Sequence, residues 1–142
     1  MSKPEFLYHG SQYYFDTLKP QKAYGDNLIE SQLAIYAART ISEVIPFALP
    51  IRWYPDDPSG KRSFQCMDGK TKLIYGSLNP NGTGYVYKVK SDTFESIDNW
   101  QWISRKEIIP VEIIKINVAD YLDTVEFSIE AKNINRKLYR VD

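Results

Sequence analysis

The chain has one histidine, His9, which stands in the tripeptide His9-Gly10-Ser11 at the end of a short apolar stretch. A neutral imidazole can donate or accept a hydrogen bond, and glycine lets another molecule approach the backbone closely. Tyr36 follows 27 residues later, and aromatic faces stack on planar, positively charged rings. Together these residue types are suited to a pocket for a ligand that contains such a ring.

Two predicted strands and a helix would position these residues. Phe6 to His9 is short, aromatic and aliphatic and ends in turn residues, which predicts a strand. Gln32 to Ala38 predicts a second strand, and Thr40 to Glu43 has the Thr-x-x-Glu pattern of a capping box, so a helix is expected to begin there. Pro46 is expected to shorten or bend that helix. Residues 12 to 31 between the strands have no sustained period, and a connection of this length favours a functional loop.

The rest of the chain favours further strands and few helices. Asp68-Gly69 predicts a hairpin between residues 63 to 67 and 70 to 75. From Tyr85 to Lys90 the residues alternate, with Tyr85, Tyr87 and Val89 on one face and lysines on the other, as in a half-buried strand. This order predicts an α+β fold rather than alternating βαβ units, in a single domain spanning residues 1 to 142. Further extended segments are expected at Ile51 to Tyr54, Trp100 to Ser104 and Val111 to Asn117, and helical turns followed by a short helix or strand at residues 126 to 140.

Composition and charge exclude several classes of protein. Hydrophobic residues make up 43% of the 142 residues, too many for a disordered chain. Eighteen basic and eighteen acidic residues balance, so no net field draws the protein to nucleic acid or to an anionic membrane. Cys66 is the only cysteine, which excludes an internal disulfide and a cysteine-based zinc site, and no metal is expected. With no signal peptide or membrane span visible, the sequence predicts a cytoplasmic protein.

Two segments resemble motifs of the ADP-ribosyltransferase superfamily, in the branch of diphtheria toxin and the poly(ADP-ribose) polymerases. They are Tyr8-His9-Gly10-Ser11 and Ile35-Tyr36-Ala37-Ala38 with the helix that follows. The resemblance implies a split β-sheet with few short helices and NAD as the substrate. It implies that His9 holds a ribose hydroxyl and that the Gly10 main chain bonds the nicotinamide carboxamide, with Ser11 completing the motif. Tyr36 would stack on the nicotinamide ring opposite Phe47, whereas Val44 stands where the family has a small hydroxyl residue.

The third motif of that family carries a catalytic glutamate, and here Gln101 takes its place within Asn99-Trp100-Gln101-Trp102. A glutamate there stabilises the oxocarbenium-like ribose as nicotinamide leaves. At an effective dielectric constant of about 20, a carboxylate about 4 Å from a unit positive charge contributes about 4 kcal/mol. A neutral glutamine keeps only its dipole, so the resemblance implies catalysis slowed by about 10²- to 10³-fold while binding of the ribose hydroxyl survives. The flanking Trp100 and Trp102 are expected on the sheet face opposite Gln101.

Several alternatives stay open at this point. If the third motif is shifted, Glu112 on a predicted strand, Glu95 or Glu107 would supply the carboxylate. The chain would then transfer ADP-ribose from NAD to an acceptor, a protein or a nucleic acid, and the residues specify neither this acceptor nor an oligomeric state. A second reading is a non-catalytic module that binds a nucleotide or ADP-ribose. A third is an activity like that of the RNA 2′-phosphotransferases, which share the fold and rely on basic residues, for which Arg39, Arg52 and Arg105 are the candidates.

Overall fold

The computed structural model describes residues 3–22, 33–67 and 69–139 of the chain. It has a mixed α+β fold in which short strands predominate. Its helices are α1 (Ile41–Ala48) and α2 (Ile129–Tyr139), with single 3-10 turns at Val118–Asp120 and Leu122–Thr124. The strands, in chain order, are β1 (Phe6–Ser11), β2 (Gln21–Lys22), β3 (Leu33–Ala37), β4 (Ile51–Arg52), β5 (Ser63–Met67), β6 (Lys70–Tyr75), β7 (Ser77–Leu78), β8 (Thr83–Lys90), β9 (Glu95–Ser96), β10 (Trp102–Ser104), β11 (Glu112–Asn117) and β12 (Val125–Phe127).

The first sheet has the order β1-β8-β11, and both strand pairs are antiparallel. β1 is longer than predicted: Gly10 and Ser11 continue it, because β8 supplies a partner for each of them. The strand predicted at Tyr85 to Lys90 is confirmed, but it is not half-buried. Tyr87 and Val86, on opposite faces, are both fully buried, because α1 covers one face and a second apolar cluster covers the other.

The second sheet has the order β2-β3-β10-β9. Within it, Tyr36 of β3 lies opposite Ile103 of β10. This sheet meets β1 at Tyr8 and Ala38, whose main chains exchange two hydrogen bonds of 2.8 Å. Beyond that pair, β1 and β3 form no further ladder in the described chain, although the antiparallel alignment sets Gly10 opposite Tyr36. We call this unpaired stretch between Gly10 and Tyr36 the β1–β3 split.

Helix α1 begins and ends as its sequence predicts. The Thr40 hydroxyl accepts a hydrogen bond from Glu43 N–H, and the Glu43 carboxylate accepts one from Thr40 N–H, which confirms the capping box. Pro46 lies inside the helix, where it lacks the N–H that would continue the hydrogen-bond ladder, and the helix ends after eight residues.

Two glycines let α1 pack directly on the first sheet. A Cβ atom on Gly10 would overlap the carbonyl oxygen of Val44, and one on Gly84 would overlap that of Ala48. The backbone of the helix therefore lies against the backbones of β1 and β8, closer than any side chain would allow. Val44, where the resemblance expects a hydroxyl residue, is buried in the core beneath the helix.

The elements from β5 to α2 contribute to the same apolar cluster as α1, through residues such as Leu73 and Ala131. The β5–β6 hairpin is confirmed, although Asp68 of its turn lies outside the described residues, and β12 pairs in parallel with β6. Helix α2 is anchored by the buried Asn135, which accepts from Leu78 N–H and donates to the carbonyls of Gly76 and Ala131. Neither α1 nor α2 has the length and apolar character that a membrane-spanning helix requires.

Candidate functional site

The β1–β3 split is lined on one side by the main chain of Gly10. Alternate residues of an antiparallel strand direct their main-chain groups to opposite sides. Ser91 N–H donates to the carbonyl of Glu5, so the main-chain N–H and C=O groups of the odd-numbered residues of β1 point to β8. Those of Tyr8 point to β3 instead. Gly10, two residues after Tyr8, faces the same way as Tyr8. Neither its N–H nor its C=O has a hydrogen-bond partner within residues 3–22, 33–67 and 69–139, so the split presents one donor and one acceptor side by side.

The imidazole of His9 bridges the split at its inner end. Its Nδ1 lies 2.6 Å from the carbonyl oxygen of Tyr36. Because a carbonyl oxygen only accepts, Nδ1 carries the proton and Nε2 of the neutral ring is an acceptor. Burial lowers the pKa of His9 below its ordinary value, and the hydrogen bond to Tyr36 offsets this only in part. At neutral pH the ring is therefore uncharged and can accept a hydrogen bond from a ligand hydroxyl through Nε2.

Tyr87 holds the loop that follows β1 beside His9. The sequence predicted Tyr87 only as a residue on one face of a strand. The Tyr87 hydroxyl donates to the carbonyl of Tyr13 at 2.7 Å and accepts from Phe15 N–H at 2.8 Å. Its ring lies 6.0 Å from the imidazole, and burial raises the pKa of Tyr87. Ser11 also binds this loop, because its hydroxyl accepts from Tyr13 N–H at 3.1 Å. Its hydroxyl oxygen therefore has a partner within the chain.

Phe47, which the resemblance sets opposite Tyr36, lies beside Gly10, and its ring contacts two other aromatic residues. Its Cβ is 3.3 Å from the position that a Cβ on Gly10 would occupy, and 41% of the residue is exposed. The ring stacks on Trp100, with centroids 6.5 Å apart and planes 18° apart, and meets Phe64 edge-on. The expectation that Trp100 shares a sheet face with Trp102 is wrong, since Trp100 precedes β10 and strand alternation does not reach it.

Gln101 lies immediately before β10 and is held by a neighbouring carboxylate. The main-chain N–H of Gln101 donates to Asp98 Oδ1 at 2.7 Å, and its side-chain Nε2 donates to Asp98 Oδ2 at 2.8 Å. Ile97 N–H donates to the Gln101 carbonyl, which continues the β9–β10 register. When the β3–β10 register is extended by one residue, Gln101 lies opposite Ala38. Gln101 is therefore on the same sheet face as Tyr36, which is two residues before Ala38.

The acidic alternatives lie elsewhere. Glu112 is exposed on β11 opposite Lys88, so that β8 and β1 stand between it and the β1–β3 split. Glu107 lies 3.9 Å from Lys19 in an exposed ion pair. Glu95 on β9 shares the sheet with Tyr36, but its carboxylate pairs with the Arg105 guanidinium at 2.8 Å. Of the four candidates for the third motif, Gln101 is therefore the one immediately before β10, the strand that pairs with Tyr36.

The three candidate arginines occupy different parts of the molecule. Arg39 lies over the ring of Trp102, and Arg52 lies over the ring of Tyr13. Arg105 follows β10 and pairs with Glu95. The three side chains thus lie against three different groups.

The described contacts thus join His9 to the Tyr36 main chain, set Phe47 beside Gly10, and place Gln101 immediately before the strand that pairs with β3. Glu112 lies apart from them, on β11. No family model matches this sequence, and neither the curated proteins nor the solved structures contain a match to it.

Proposed function

We propose that this protein binds NAD in the β1–β3 split and acts as an ADP-ribosyltransferase-like protein with the split-sheet fold of that superfamily. The observation that carries the proposal is the main chain of Gly10, whose N–H and C=O lie side by side and have no partner among the described residues. A primary carboxamide such as that of nicotinamide has the complementary acceptor and donor. Tyr36 and Phe47 supply aromatic faces for the pyridinium ring, and His9 Nε2 accepts from a ribose hydroxyl.

In this proposal the chain's own residues orient the N-glycosidic bond rather than attack it. The carboxamide held at Gly10 fixes the leaving group, while His9 and Gln101 hold the ribose. Transfer of ADP-ribose to an acceptor, a protein or a nucleic acid, would follow cleavage of that bond. Because Gln101 is neutral, we expect slow turnover compared with an enzyme that has a carboxylate at this position.

The first experiment measures binding by isothermal titration calorimetry with NAD and with ADP-ribose, followed by release of nicotinamide on prolonged incubation. The expected result is saturable binding of NAD that His9→Ala weakens. Lys137→Ala, an exposed residue of α2, serves as the control and should bind as the wild type does. Absence of NAD binding by the folded wild-type protein would overturn the proposal.

A non-catalytic module for NAD or ADP-ribose is the second candidate, and the neutral Gln101 favours it. Binding with no nicotinamide release above the uncatalysed rate would support this candidate. The 2′-phosphotransferase-like activity is supported less well, since Arg39, Arg52 and Arg105 engage three different partners. NAD consumption that depends on an added RNA 2′-phosphate would support it instead.

A further inference from the structure

We propose that Asp98 is a positioning residue, which turns the Gln101 amide so that its oxygen accepts a hydroxyl of the nicotinamide ribose. This inference rests on the proposed function, since it concerns the ribose of the same bound NAD. It assigns a task to a residue outside the three motifs, and it explains how a glutamine could serve where a carboxylate is expected.

The carboxylate of Asp98 is held by three hydrogen bonds. Its Oδ1 accepts from Trp100 N–H at 2.9 Å and from Gln101 N–H at 2.7 Å, and its Oδ2 accepts from Gln101 Nε2 at 2.8 Å. Three hydrogen bonds to one carboxylate hold the turn and the side chain of Gln101 in a single arrangement. Hydrogen bonds to an ionised group are about twice as strong as those between neutral groups.

The hydrogen bond to Asp98 determines the orientation of the Gln101 amide. An ionised carboxylate accepts hydrogen bonds and donates none, so the nitrogen of the Gln101 amide must face Asp98. Its oxygen consequently faces away from Asp98, and it receives no hydrogen bond within the described ranges 3–22, 33–67 and 69–139. Gln101 therefore presents its oxygen, an acceptor, on the side away from Asp98, with a negative charge behind the amide.

The strand register places the Gln101 side chain near Tyr36. Extension of the β3–β10 register by one residue sets Gln101 opposite Ala38, which makes Tyr36 its diagonal neighbour on the same face. Diagonal neighbours lie about 7–8 Å apart, within reach of long side chains. The Gln101 side chain therefore lies on the sheet face that carries the Tyr36 ring. With the nicotinamide stacked on that ring as proposed, the attached ribose would bring a hydroxyl within reach of the amide oxygen.

The neighbouring Glu95 is the competing carboxylate and the matched control. It lies opposite Ile103 on the same sheet and is as exposed as Asp98, but its carboxylate pairs with Arg105 rather than with Gln101. A general effect of negative charge near the site would be lost with either residue. Positioning of Gln101 would be lost with Asp98 alone.

The experiment compares Asp98→Asn and Glu95→Gln in binding of NAD and of two NAD derivatives that lack the 2′- or the 3′-hydroxyl of the nicotinamide ribose. Asp98→Asn keeps an oxygen that accepts the two main-chain hydrogen bonds, but it lets the Gln101 amide rotate so that its oxygen faces residue 98. We expect NAD binding about tenfold weaker in Asp98→Asn and unchanged in Glu95→Gln. For one of the two derivatives, Asp98→Asn should have no effect, because the hydroxyl that Gln101 accepts is already missing.

Equal weakening of all three ligands, or none, would overturn the assignment of Asp98 while leaving NAD binding intact. Failure of the wild type to bind NAD would instead overturn the proposed function, so the two failures are distinguishable. The double change Asp98→Asn with Gln101→Glu gives a second test, since it keeps the hydrogen bond with its direction reversed. We expect nicotinamide release at least about 10²-fold faster than in the wild type. An unchanged rate would contradict the location of residue 101 beside the ribose.

Discussion

The two edges of β1 differ in how completely they are paired. On the β8 side, six residue pairs run without interruption from Phe6 opposite Lys90 to Ser11 opposite Tyr85. On the β3 side, Tyr8 and Ala38 form one pair, and the strands then separate. A single strand thus builds the sheet with one edge, while at the other edge the Gly10 main-chain groups have no partner among the described residues. The difference teaches that the proposed site would use hydrogen-bonding groups that the sheet leaves unpaired.

Gly10 belongs both to the packing of α1 on the sheet and to the proposed site, and these two roles have different requirements. Its missing side chain makes room for the carbonyl of Val44 in α1, which is a packing requirement. Its N–H and C=O face the β1–β3 split, and any residue at this position would have those groups. The need for glycine therefore comes from the helix, although the ligand would use the same residue.

The largest expected effect breaks the fully paired side. In Gly84→Ala the new methyl group would overlap the Ala48 carbonyl, and α1 would have to move away from β8. We expect a loss of about 3 kcal/mol in the free energy of unfolding, measured by urea denaturation. Thr83→Ala on the same strand is the control and should cost less than about 1 kcal/mol. A stable Gly84→Ala protein would contradict the close packing of α1.

The next effect connects the paired edge to the loop beside His9. Tyr87→Phe removes the hydroxyl that binds Tyr13 and Phe15, and it leaves a main-chain donor and an acceptor without their partner. We expect a loss of about 2 kcal/mol in unfolding free energy, together with weaker NAD binding. If denaturation shows the loss and calorimetry shows unchanged NAD affinity, the loop does not contribute to the site.

The third prediction addresses the open edge through His9→Gln. The glutamine amide cannot place a donor on the Tyr36 carbonyl and an acceptor where Nε2 lies with the geometry of the imidazole, so NAD binding should weaken about tenfold in calorimetry. Stability should change as well, because burial lowers the pKa of His9 in the folded state. Below the ordinary imidazole pKa of about 6.5 the unfolded chain binds a proton that the folded chain does not, so wild-type stability falls as pH falls from there. His9→Gln should lack this decline between neutral pH and the range where carboxylates titrate. An identical decline in both proteins would show that His9 is protonated equally in both states.

The smallest effect lies away from both edges of β1, at the part-buried pair of Asp57 and Tyr75. The Tyr75 hydroxyl donates to the Asp57 carboxylate at 2.5 Å, and Ser59 donates to the same group. These bonds lower the pKa of Asp57 to about 2, and the bond to Asp57 raises that of Tyr75 to about 12. The stabilisation is present above the ordinary carboxyl pKa and is lost as pH falls towards 2. Tyr75→Phe should lower the melting temperature slightly at pH 7, less as pH approaches 2, and leave NAD binding unchanged. A change in NAD affinity would connect this region to the site.

Local features were predictable because their causes lie within a few residues. The capping box at Thr40, the hairpin at Gly69 and the strand from Phe6 all follow from short patterns. The proximity of His9 and Tyr36 was expected through the resemblance and agrees with their 2.6 Å hydrogen bond. The pocket built around them stays a prediction.

Features that depend on distant partners were not predictable. Strands of two residues such as β4 and β7 exist only because each pairs with the other. Trp100 was expected on the face of Trp102 because the turn at Asp98 was not foreseen. An aspartate whose side chain accepts main-chain N–H groups two and three residues on is a common turn signal, and it was visible in the sequence. The hydroxyl contacts of Tyr87 needed the register between β1 and β8, which no local pattern specifies.

The pairing of the first strand with the eighth also determines when the protein can fold during synthesis. His9 and Tyr87 are partners 78 residues apart, and a contact that remote forms only after a long loop closes. At about 5–20 residues per second, a ribosome needs roughly 4 to 16 s to add the intervening chain. For that interval β1 has no partner on its β8 side, so the nascent polypeptide carries an apolar strand that must avoid aggregation until β8 leaves the exit tunnel.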